Sequence, residues 1–275
     1  MIEYFKMSGS GNDFILIDNM DRGLALESPG KFARALCRRK VSVGADGLIL
    51  IEPSETVAFR WRFFNADGSE AEMCGNGGRC AARFAVLKKI AGEELSFETQ
   101  AGIIDATVRG DTVKLRLTEP RDLRVNQAIM LEDRSFEISS INTGVPHAVL
   151  IFNNLEHLDV FHLGRMIRYH ESFQPAGTNA NFVEVIDKHT IRVRTYERGV
   201  EDETLSCGTG AVASVLISSW KGLVDSPVNV RVRSGEVLRV YFRKKDGGFQ
   251  DIYLEGKVKV IYQGLLWDEA YAEAG

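Results

Sequence analysis

Two cysteines in this sequence each stand directly before a glycine turn and an apolar run. Cys74 lies in EAEMCGNGG and Cys207 lies in DETLSCGTG. In both stretches, acidic residues precede the cysteine and the residues after it predict the first turn of a helix. Such a turn exposes unpaired backbone N–H groups and the positive end of the helix dipole, which favour a thiolate or a bound carboxylate. Each stretch therefore indicates a reactive thiol beside a cradle for an anion.

A structural cysteine, a zinc site and a nucleotide-binding turn are the alternatives to a reactive thiol. A free cysteine is most often a buried structural residue, and we interpret Cys37 and Cys80, which lie within predicted helices, in that way. No pair of close cysteine pairs is present, so a zinc site is not predicted. The glycine turns match neither a P-loop nor a dinucleotide fingerprint, so nucleotide binding is not predicted either.

Sequence blocks in the first half of the chain recur in the second half at an offset of about 133 residues. Three blocks in the same order indicate an internal duplication, and the long period suits two copies of one domain. The duplication favours a catalytic role for the two cysteines over a structural one. The first match places SGSGN (8–12) on TGVPH (143–147), with Asn12 on His147. The second places GADGLILI (44–51) on TNANFVEV (178–185). The third places residues 62–82 on residues 194–214, with Asn65 on Glu197 and Cys74 on Cys207.

Two equivalent thiols on opposite sides of one carbon atom could invert it. One, as a thiolate, would remove a proton, while the other, as a thiol, would deliver a proton to the opposite face. In the reverse direction the roles exchange, which explains why two nearly equal halves would be needed. An α-amino acid is a suitable substrate, because backbone N–H groups around its carboxylate would stabilise the negative charge that develops.

Short strand patterns dominate the chain, and several alternate apolar with charged residues, which is typical of antiparallel sheets with one wet face. The helix-like runs after Cys74 and Cys207 carry few charges, so we expect each to be buried within a sheet. The fold class predicted is α+β. The four predicted helices cover 29–39, 76–91, 158–170 and 208–221, and the predicted linker covers 119–127.

The overall composition favours a small-molecule enzyme. The chain has 275 residues, 44% hydrophobic and 26% charged, with a net charge of −4. This balance does not favour nucleic acid or a membrane as the main partner. The first residues lack the order of a signal peptide, so we expect a cytoplasmic protein with its cysteines reduced.

Six blocks that span most of the chain resemble, in the same order, the diaminopimelate epimerase family. This resemblance implies a pyridoxal-phosphate-independent enzyme that needs no cofactor or metal and interconverts LL- and meso-2,6-diaminopimelate in lysine and cell-wall precursor biosynthesis. The blocks are SGSGNDF (8–14), VGADG (43–47), FNADGSEAEMCGNGGRC (64–80), TGVPH (143–147), GTNANF (177–182) and YERGVEDETLSCGTGA (196–211).

The resemblance also implies roles for individual residues. Cys74 and Cys207 would be the acid/base thiols, with Glu197 and His147 orienting or tuning them. The backbone cradle for the carboxylate at the reacting end would comprise Gly75, Asn76, Gly208 and Thr209. Further substrate contacts would come from Asn12, Asn65, Asn179, Glu197 and Arg198, and the Arg198 guanidinium would hold the distal carboxylate.

The family fold implies two pseudo-symmetric domains, each a mostly antiparallel sheet wrapped round a central apolar helix. We expect residues 1–118 in the first, with 263–275 returning to it, and 119–262 in the second. Family members are commonly homodimers, and the resemblance places Tyr262 at that interface. Two positions depart from the family pattern: Val145 replaces a common Asn, and Gly47 replaces a Gln found in some members.

Two other functions remain open at this stage. A racemase of another amino acid, such as proline or hydroxyproline, could share the fold, although such a substrate has no second charged end for Arg198 to hold. A non-catalytic amino-acid-binding protein could share the cradle, but it would have no need of either thiol.

Overall fold

The computed structural model describes residues 1–24, 26–245 and 247–272. Among these residues the chain forms four α-helices, and all four lie where the sequence patterns predict them. Each observed helix begins and ends within a few residues of its predicted limits. They are α1 (Pro29–Cys37), α2 (Gly75–Leu87), α3 (Val160–Tyr169) and α4 (Gly208–Trp220).

The chain divides into two compact units, unit 1 (Met1–Leu115 with the described residues from Gly256 onward) and unit 2 (Arg116–Glu255). The return to unit 1 thus begins at Gly256, earlier than the predicted residue 263. The strands of unit 1 are β1 (Ile2–Gly9), β2 (Asn12–Asp18), β3 (Gly47–Glu52), β4 (Phe59–Asn65), β5 (Glu70–Ala71), β6 (Glu94–Thr99), β7 (Gly102–Arg109) and β8 (Thr112–Arg116, its last residue in unit 2).

Unit 2 repeats this arrangement. Its strands are β9 (Arg121–Leu131), β10 (Arg134–Asn142), β11 (Pro146–Phe152), β12 (Asn179–Asp187), β13 (Thr190–Glu197), β14 (Asp202–Thr204), β15 (Val228–Arg231), β16 (Val237–Lys245) and the first part of β17 (Gly248–Leu266). The second part of β17 pairs with β1 in unit 1.

The two units share one order of strand pairing. In unit 1, β2 and β3 run parallel, β3 and β4 antiparallel, and β4 pairs in parallel with β6. In unit 2, β11 and β12 run parallel, β12 and β13 antiparallel, and β13 pairs in parallel with β15. Three further equivalent pairs are antiparallel: β1–β2 and β10–β11, β4–β5 and β13–β14, and β6–β7 and β15–β16. The predicted duplication and the mostly antiparallel α+β fold are confirmed.

The two helices that follow Cys74 and Cys207 are the central helices of their units. Eleven of the thirteen residues of α4 are buried, from Gly208 to Ser219, and α4 packs against β10 to β13, β15 and β16. Helix α2 is buried over Asn76–Ala82 and again at Phe84 and Ala85, and packs against β1, β2, β3 and β7. A sheet that curls around an apolar helix buries it on nearly every side, as predicted from the scarcity of charge.

The predicted linker at 119–127 is wrong, because β9 begins at Arg121. Its pairing with β10 shifts register twice, and Asp122 and Asn126 both take positive φ values, 57° and 55°. These irregularities interrupt the apolar–polar alternation that marks a strand in sequence. Leu123 and Val125 nevertheless pack against the core around α4.

Across the part of the chain that is described, no helix is both long and apolar enough to cross a membrane.

Candidate active site

Cys74 is the residue that begins the central helix of unit 1. It takes an extended conformation at the N-cap of α2, and its Sγ accepts a hydrogen bond from the backbone N–H of Gly77, with 3.5 Å between N and Sγ. An ideal Cβ at Gly77 would lie 3.3 Å from Ile49 Cδ1 and 3.4 Å from the Trp61 ring, so little space is left there for a side chain. The N–H donors and the helix dipole both favour a thiolate at this position.

Asn12 and Asn76 are joined in unit 1 by one chain of hydrogen bonds. The Asn76 Nδ2 donates to Asn12 Oδ1 at 2.6 Å, and the Asn12 Nδ2 donates to Asp46 Oδ2 at 3.1 Å. The buried Arg79 donates to Asn76 Oδ1 at 2.9 Å and to Ser10 Oγ at 2.6 Å. Each amide is therefore held in a single orientation, with donor and acceptor atoms fixed.

An ion cluster supports the acidic end of that chain. Asp13 and Asp46 both accept from Arg39, at 2.6 Å and 2.8 Å, and Asp13 lies 2.8 Å from the buried Lys6 Nζ. Burial alone would raise the pKa of Asp13, but Arg39 and Lys6 outweigh it and lower the pKa to about 2. Asp13 therefore stays ionised at neutral pH.

Asn65 lies at the end of β4, directly opposite Gly47 on β3. Its Nδ2 donates to Ser69 Oγ at 3.0 Å within the following turn, so the structure does not bring it into the hydrogen-bond chain of Asn12. An ideal Cβ at Gly47 would lie 2.5 Å from Phe63 Cε2 and 2.7 Å from Phe64 O. The backbone here leaves no room for the Gln that some family members carry.

Cys207 is the N-cap residue of α4, as Cys74 is of α2, but its side chain makes no capping hydrogen bond. It is 8% exposed, and its Sγ lies 3.5 Å from Thr209 Oγ1. Thr143, in the loop before β11, donates to the backbone carbonyl of Thr209 at 3.0 Å and so fixes the first turn of the helix. Gly208 and Thr209 are the first two residues of this buried helix, where backbone N–H groups have no partner within the helix.

His147 and Asn179 face each other across the parallel pair β11–β12. Asn179 donates from Nδ2 to the Pro146 carbonyl at 3.0 Å and accepts at Oδ1 from the Arg198 backbone N–H at 2.8 Å. The Arg198 guanidinium donates to the Ala176 carbonyl at 2.9 Å. Asn179 therefore holds together three of the segments that carry predicted site residues.

Two titratable groups in unit 2 are shifted toward their neutral forms. Burial raises the pKa of Glu197 above its ordinary value, an effect that Thr204 partly opposes. Burial, and then the charge of Arg198, lower the pKa of His147 to about 3. The two shifts share one main cause, because burial disfavours the charged form of a carboxyl and of an imidazole alike.

The other two cysteines differ from this pattern. All four cysteines are thiols, but Cys37 and Cys80 are buried inside helices. Burial raises the pKa of Cys37 to about 12, which keeps it protonated. Within the described ranges, no group of three or more histidine, cysteine, aspartate or glutamate side chains is arranged to hold a metal ion.

The sequence patterns did not predict several buried polar side chains that lie near the candidate residues. Arg79 and Asn181 both lie inside recognised blocks, and Thr195 lies two residues before Glu197. Each is buried and polar in an apolar surrounding. The alternation pattern of β12 and β13 could have marked Asn181 and Thr195, because a polar residue at a core position needs a partner there.

Solved structures with the same fold include proteins of more than one named activity. A phenazine biosynthesis protein of the PhzF family from Bacillus anthracis has a TM-score of 0.73 at 18% identity. The match covers 97% of this chain and 99% of that protein. A probable proline racemase from Agrobacterium radiobacter has a TM-score of 0.71 at 15% identity, with 98% and 96% covered. At these identities the likeness establishes the fold alone.

Sequence relatives are much closer. A diaminopimelate epimerase from Aquifex aeolicus is 46% identical over 98% of this chain and 99% of its own, and one from Hydrogenobaculum is 45% identical over 97% and 99%. The family model described as diaminopimelate epimerase matches residues 4–121 and 139–261. The duplicated fold, the cysteine at the start of each central helix and these matches agree, and the chain belongs to the diaminopimelate epimerase family.

Proposed function

We propose that this chain interconverts LL- and meso-2,6-diaminopimelate by proton exchange at one α-carbon, without a cofactor. The observation that carries the proposal is the repeated placement of a thiol at the N-terminus of the buried central helix of each unit. Its sequence relatives from several bacteria and archaea, 35–46% identical, are named diaminopimelate epimerase. This agreement favours diaminopimelate over the other amino acids considered.

The proposed chemistry uses one thiol as base and the other as acid. The thiolate of one cysteine takes the α-proton as the C–H bond breaks, and the electron pair is held on the carbanion beside its carboxylate. The second cysteine then gives its S–H proton to the opposite face, which forms the new C–H bond and leaves a thiolate. Cys74 and Cys207 exchange these roles between the two directions. One turnover in each direction therefore returns both cysteines to their starting protonation states.

The backbone N–H groups at the two helix starts would bind the carboxylate of the reacting end. Gly75 and Asn76 supply them in unit 1, and Gly208 and Thr209 in unit 2. Donors placed where charge develops stabilise the transition state more than the ground state. Glycine at Gly75 and Gly208 removes the Cβ atoms that would hold a carboxylate away from the backbone.

Polar side chains would select and orient the substrate. We assign the distal carboxylate to the Arg198 guanidinium, whose planar fork suits two carboxylate oxygens. Asn12, Asn65 and Asn179 would contact the amino and carboxylate groups, and Glu197 and His147 would tune the thiols. Val145 and Gly47 supply no polar side chain, so this enzyme would bind its substrate without those two contacts.

The rival function is a racemase for a ring amino acid on the same fold. A hydroxyproline epimerase from Agrobacterium vitis, with bound trans-4-hydroxy-L-proline, has a TM-score of 0.70 to this chain, but its identity is 16%. A monocarboxylic substrate would leave Arg198 without an anionic partner. We therefore rank this function second, and a binding protein without catalysis third.

The function is tested by supplying LL-diaminopimelate, L-proline and trans-4-hydroxy-L-proline separately, in heavy water and without added cofactor. We expect deuterium at the α-carbon, together with epimerisation, for diaminopimelate only. Deuterium incorporation at the α-carbon of proline, without incorporation into diaminopimelate, would establish the racemase instead. Binding of diaminopimelate without any exchange would establish the binding protein.

The wider setting is also a proposal. The enzyme would serve lysine and peptidoglycan-precursor biosynthesis, and its dependence on reduced thiols suits the cytoplasm. It would act as a homodimer through the second part of β17, where several apolar side chains are exposed. They are Ile261, Tyr262 and Leu265, followed by Trp267, which is 69% exposed.

A further inference from the structure

A closed polar cluster surrounds His147 in the core of unit 2. It comprises the side chains of His147 on β11, Asn181 on β12 and Thr195 on β13, none more than 4% exposed. Asn181 Nδ2 lies 3.1 Å from His147 Nδ1 and 3.0 Å from the Ala148 carbonyl oxygen, and the Thr195 hydroxyl donates to Asn181 Oδ1 at 3.0 Å. The proposed mechanism gives Asn181 and Thr195 no role.

The partners of Asn181 allow only one orientation of its amide. The Ala148 carbonyl can only accept a hydrogen bond, so the atom that faces it must be the amide nitrogen. Reversing the amide would place Oδ1 against that carbonyl oxygen, in a buried site where an unmatched polar contact is costly. The Thr195 hydroxyl satisfies Oδ1 on the other side. Both N–H groups of Asn181 are therefore used as donors, one of them toward His147.

This orientation determines the tautomer of His147. Because Asn181 donates to Nδ1, that ring nitrogen must carry a lone pair, and in a neutral ring the proton then lies on Nε2. The ring is neutral across the physiological pH range, since burial and the charge of Arg198 lower its pKa to about 3. Among the residues that the structure describes, His147 Nε2 is buried and has no hydrogen-bond partner.

Asn181 also lies against the start of α4. An ideal Cβ at Gly210 would be 2.4 Å from Asn181 Oδ1 and 3.2 Å from Cys207 Sγ. The amide that orients His147 is therefore packed beside the turn that carries the thiol. This second contact places Asn181 next to two of the residues to which the proposed function assigns a part.

We propose that Asn181 is a positioning residue that holds His147 as the Nε2–H tautomer, so that His147 acts in the reaction as a hydrogen-bond donor and not as a base. This inference rests on the proposed function for its link to turnover. An Nε2–H group would stabilise an anionic acceptor, such as a thiolate or a carboxylate, as charge develops on it. It could not accept the α-proton at Nε2, while Nδ1 is occupied by Asn181.

The tautomer can be read directly by ¹⁵N NMR of the histidine rings, with the His147 signals identified by their loss in His147→Gln. In the unsubstituted enzyme we expect a protonated Nε2 and an unprotonated Nδ1, unchanged across the neutral pH range. In Asn181→Asp the carboxylate cannot donate to Nδ1 and instead attracts a proton there. We expect Nδ1 to become protonated and kcat to fall about 10²-fold, with a much smaller change in KM.

Two further variants separate positioning from a loss of packing. Asn153→Asp makes the same chemical change at an exposed position and should leave both the spectrum and kcat unchanged. Thr195→Val should lower kcat, and Thr195→Ser, which keeps the hydroxyl, should restore it. If Asn181→Asp does not fold, the spectrum of the unsubstituted enzyme and the two Thr195 variants still decide the matter.

A protonated Nδ1 in the unsubstituted enzyme would overturn the proposal. So would an Asn181→Asp enzyme whose tautomer changes while kcat stays the same. An unsubstituted enzyme that shows the Nε2–H tautomer but exchanges no α-hydrogen of diaminopimelate would instead refute the proposed function, and the assignment of the tautomer would stand.

Discussion

At the scale of single residues, burial acts on two groups of unit 2 with the same result. Glu197 and His147 both lose water, so the ionised form of each is disfavoured: the pKa of the carboxyl rises and that of the imidazole falls. A carboxyl with a raised pKa can take and release protons closer to neutral pH. In the proposed reaction, such a carboxyl would tune the charge of a thiol.

Replacement of Glu197 by Gln tests the raised pKa through stability. The folded state holds the Glu197 proton more tightly than the unfolded state does. The contribution of Glu197 to stability is therefore fully present below the unfolded pKa and is lost as pH rises through the folded pKa. Glu197→Gln should therefore have a higher Tm than the unsubstituted protein at neutral pH, and the difference should vanish in acid. In the proposed reaction kcat should fall about 10²-fold.

Glu201 supplies a control of opposite sign. Burial would raise the pKa of Glu201, but the Gly199 N–H and Arg168 outweigh it and lower the pKa. Its contribution to stability is present above the unfolded pKa and is lost as pH falls through the folded pKa. Glu201→Gln should therefore lower Tm at neutral pH, as measured by calorimetry. Equal pH profiles for the two variants would contradict both assignments.

The catalytic candidates could be predicted from sequence because they lie in blocks that recur in both halves. Cys74 and Cys207 needed only the duplication and the chemistry of a helix start. The side chains that fix their neighbours, Arg79 and Asn181, could not be predicted in the same way. Their roles depend on hydrogen bonds between segments far apart in the chain, which spacing alone does not reveal.

At the scale of elements, the start of α4 is a close-packed turn. Gly210 lies in the first turn of the helix, where a side chain would contact both Asn181 and Cys207. A glycine is therefore needed at this position for space, and its φ is not in the left-handed region. The equivalent helix α2 has its own glycines, Gly77 and Gly78, against Ile49 and Leu115.

Gly210→Ala should displace the first turn of α4. The added methyl group would lie 2.4 Å from Asn181 Oδ1, and we expect a loss of about 1–3 kcal/mol in the free energy of unfolding. Displacement of Cys207 should lower kcat by about 10²-fold. Denaturant unfolding and steady-state kinetics measure the two effects. Gly248→Ala, where the ideal Cβ has no neighbour within 4 Å, should change neither, and equal behaviour of the two variants would count against this packing role.

The elements that sequence patterns predicted well are those with one clear period. The four helices agree with the structure to within a few residues. Strand β9 was mistaken for a linker because two residues with positive φ interrupt its alternation. Backbone irregularity of this kind is set by the partner strand β10, so it is absent from the local pattern.

At the scale of the whole molecule, the proposed homodimer depends on a patch of exposed apolar residues on β17. Tyr262 is 43% exposed and lies edge to face with Tyr4 on β1 at 6.1 Å. Tyr262→Asp should convert a dimer of the 30.6 kDa chain into a monomer in sedimentation experiments. Val237→Asp, at a residue that is 48% exposed in unit 2, should remain dimeric. A monomeric unsubstituted protein would contradict the dimer.

The proposed reaction requires each of the two duplicated halves to supply one thiol to the same α-carbon. It is tested most directly by following α-hydrogen exchange in heavy water from LL- and from meso-diaminopimelate, in the unsubstituted enzyme and in Cys74→Ala and Cys207→Ala. The unsubstituted enzyme should exchange and interconvert both epimers. Each variant should lose interconversion, and any exchange that survives should come from one epimer only, a different one in each variant. Interconversion that persists at an undiminished rate in either variant would contradict the two-thiol account.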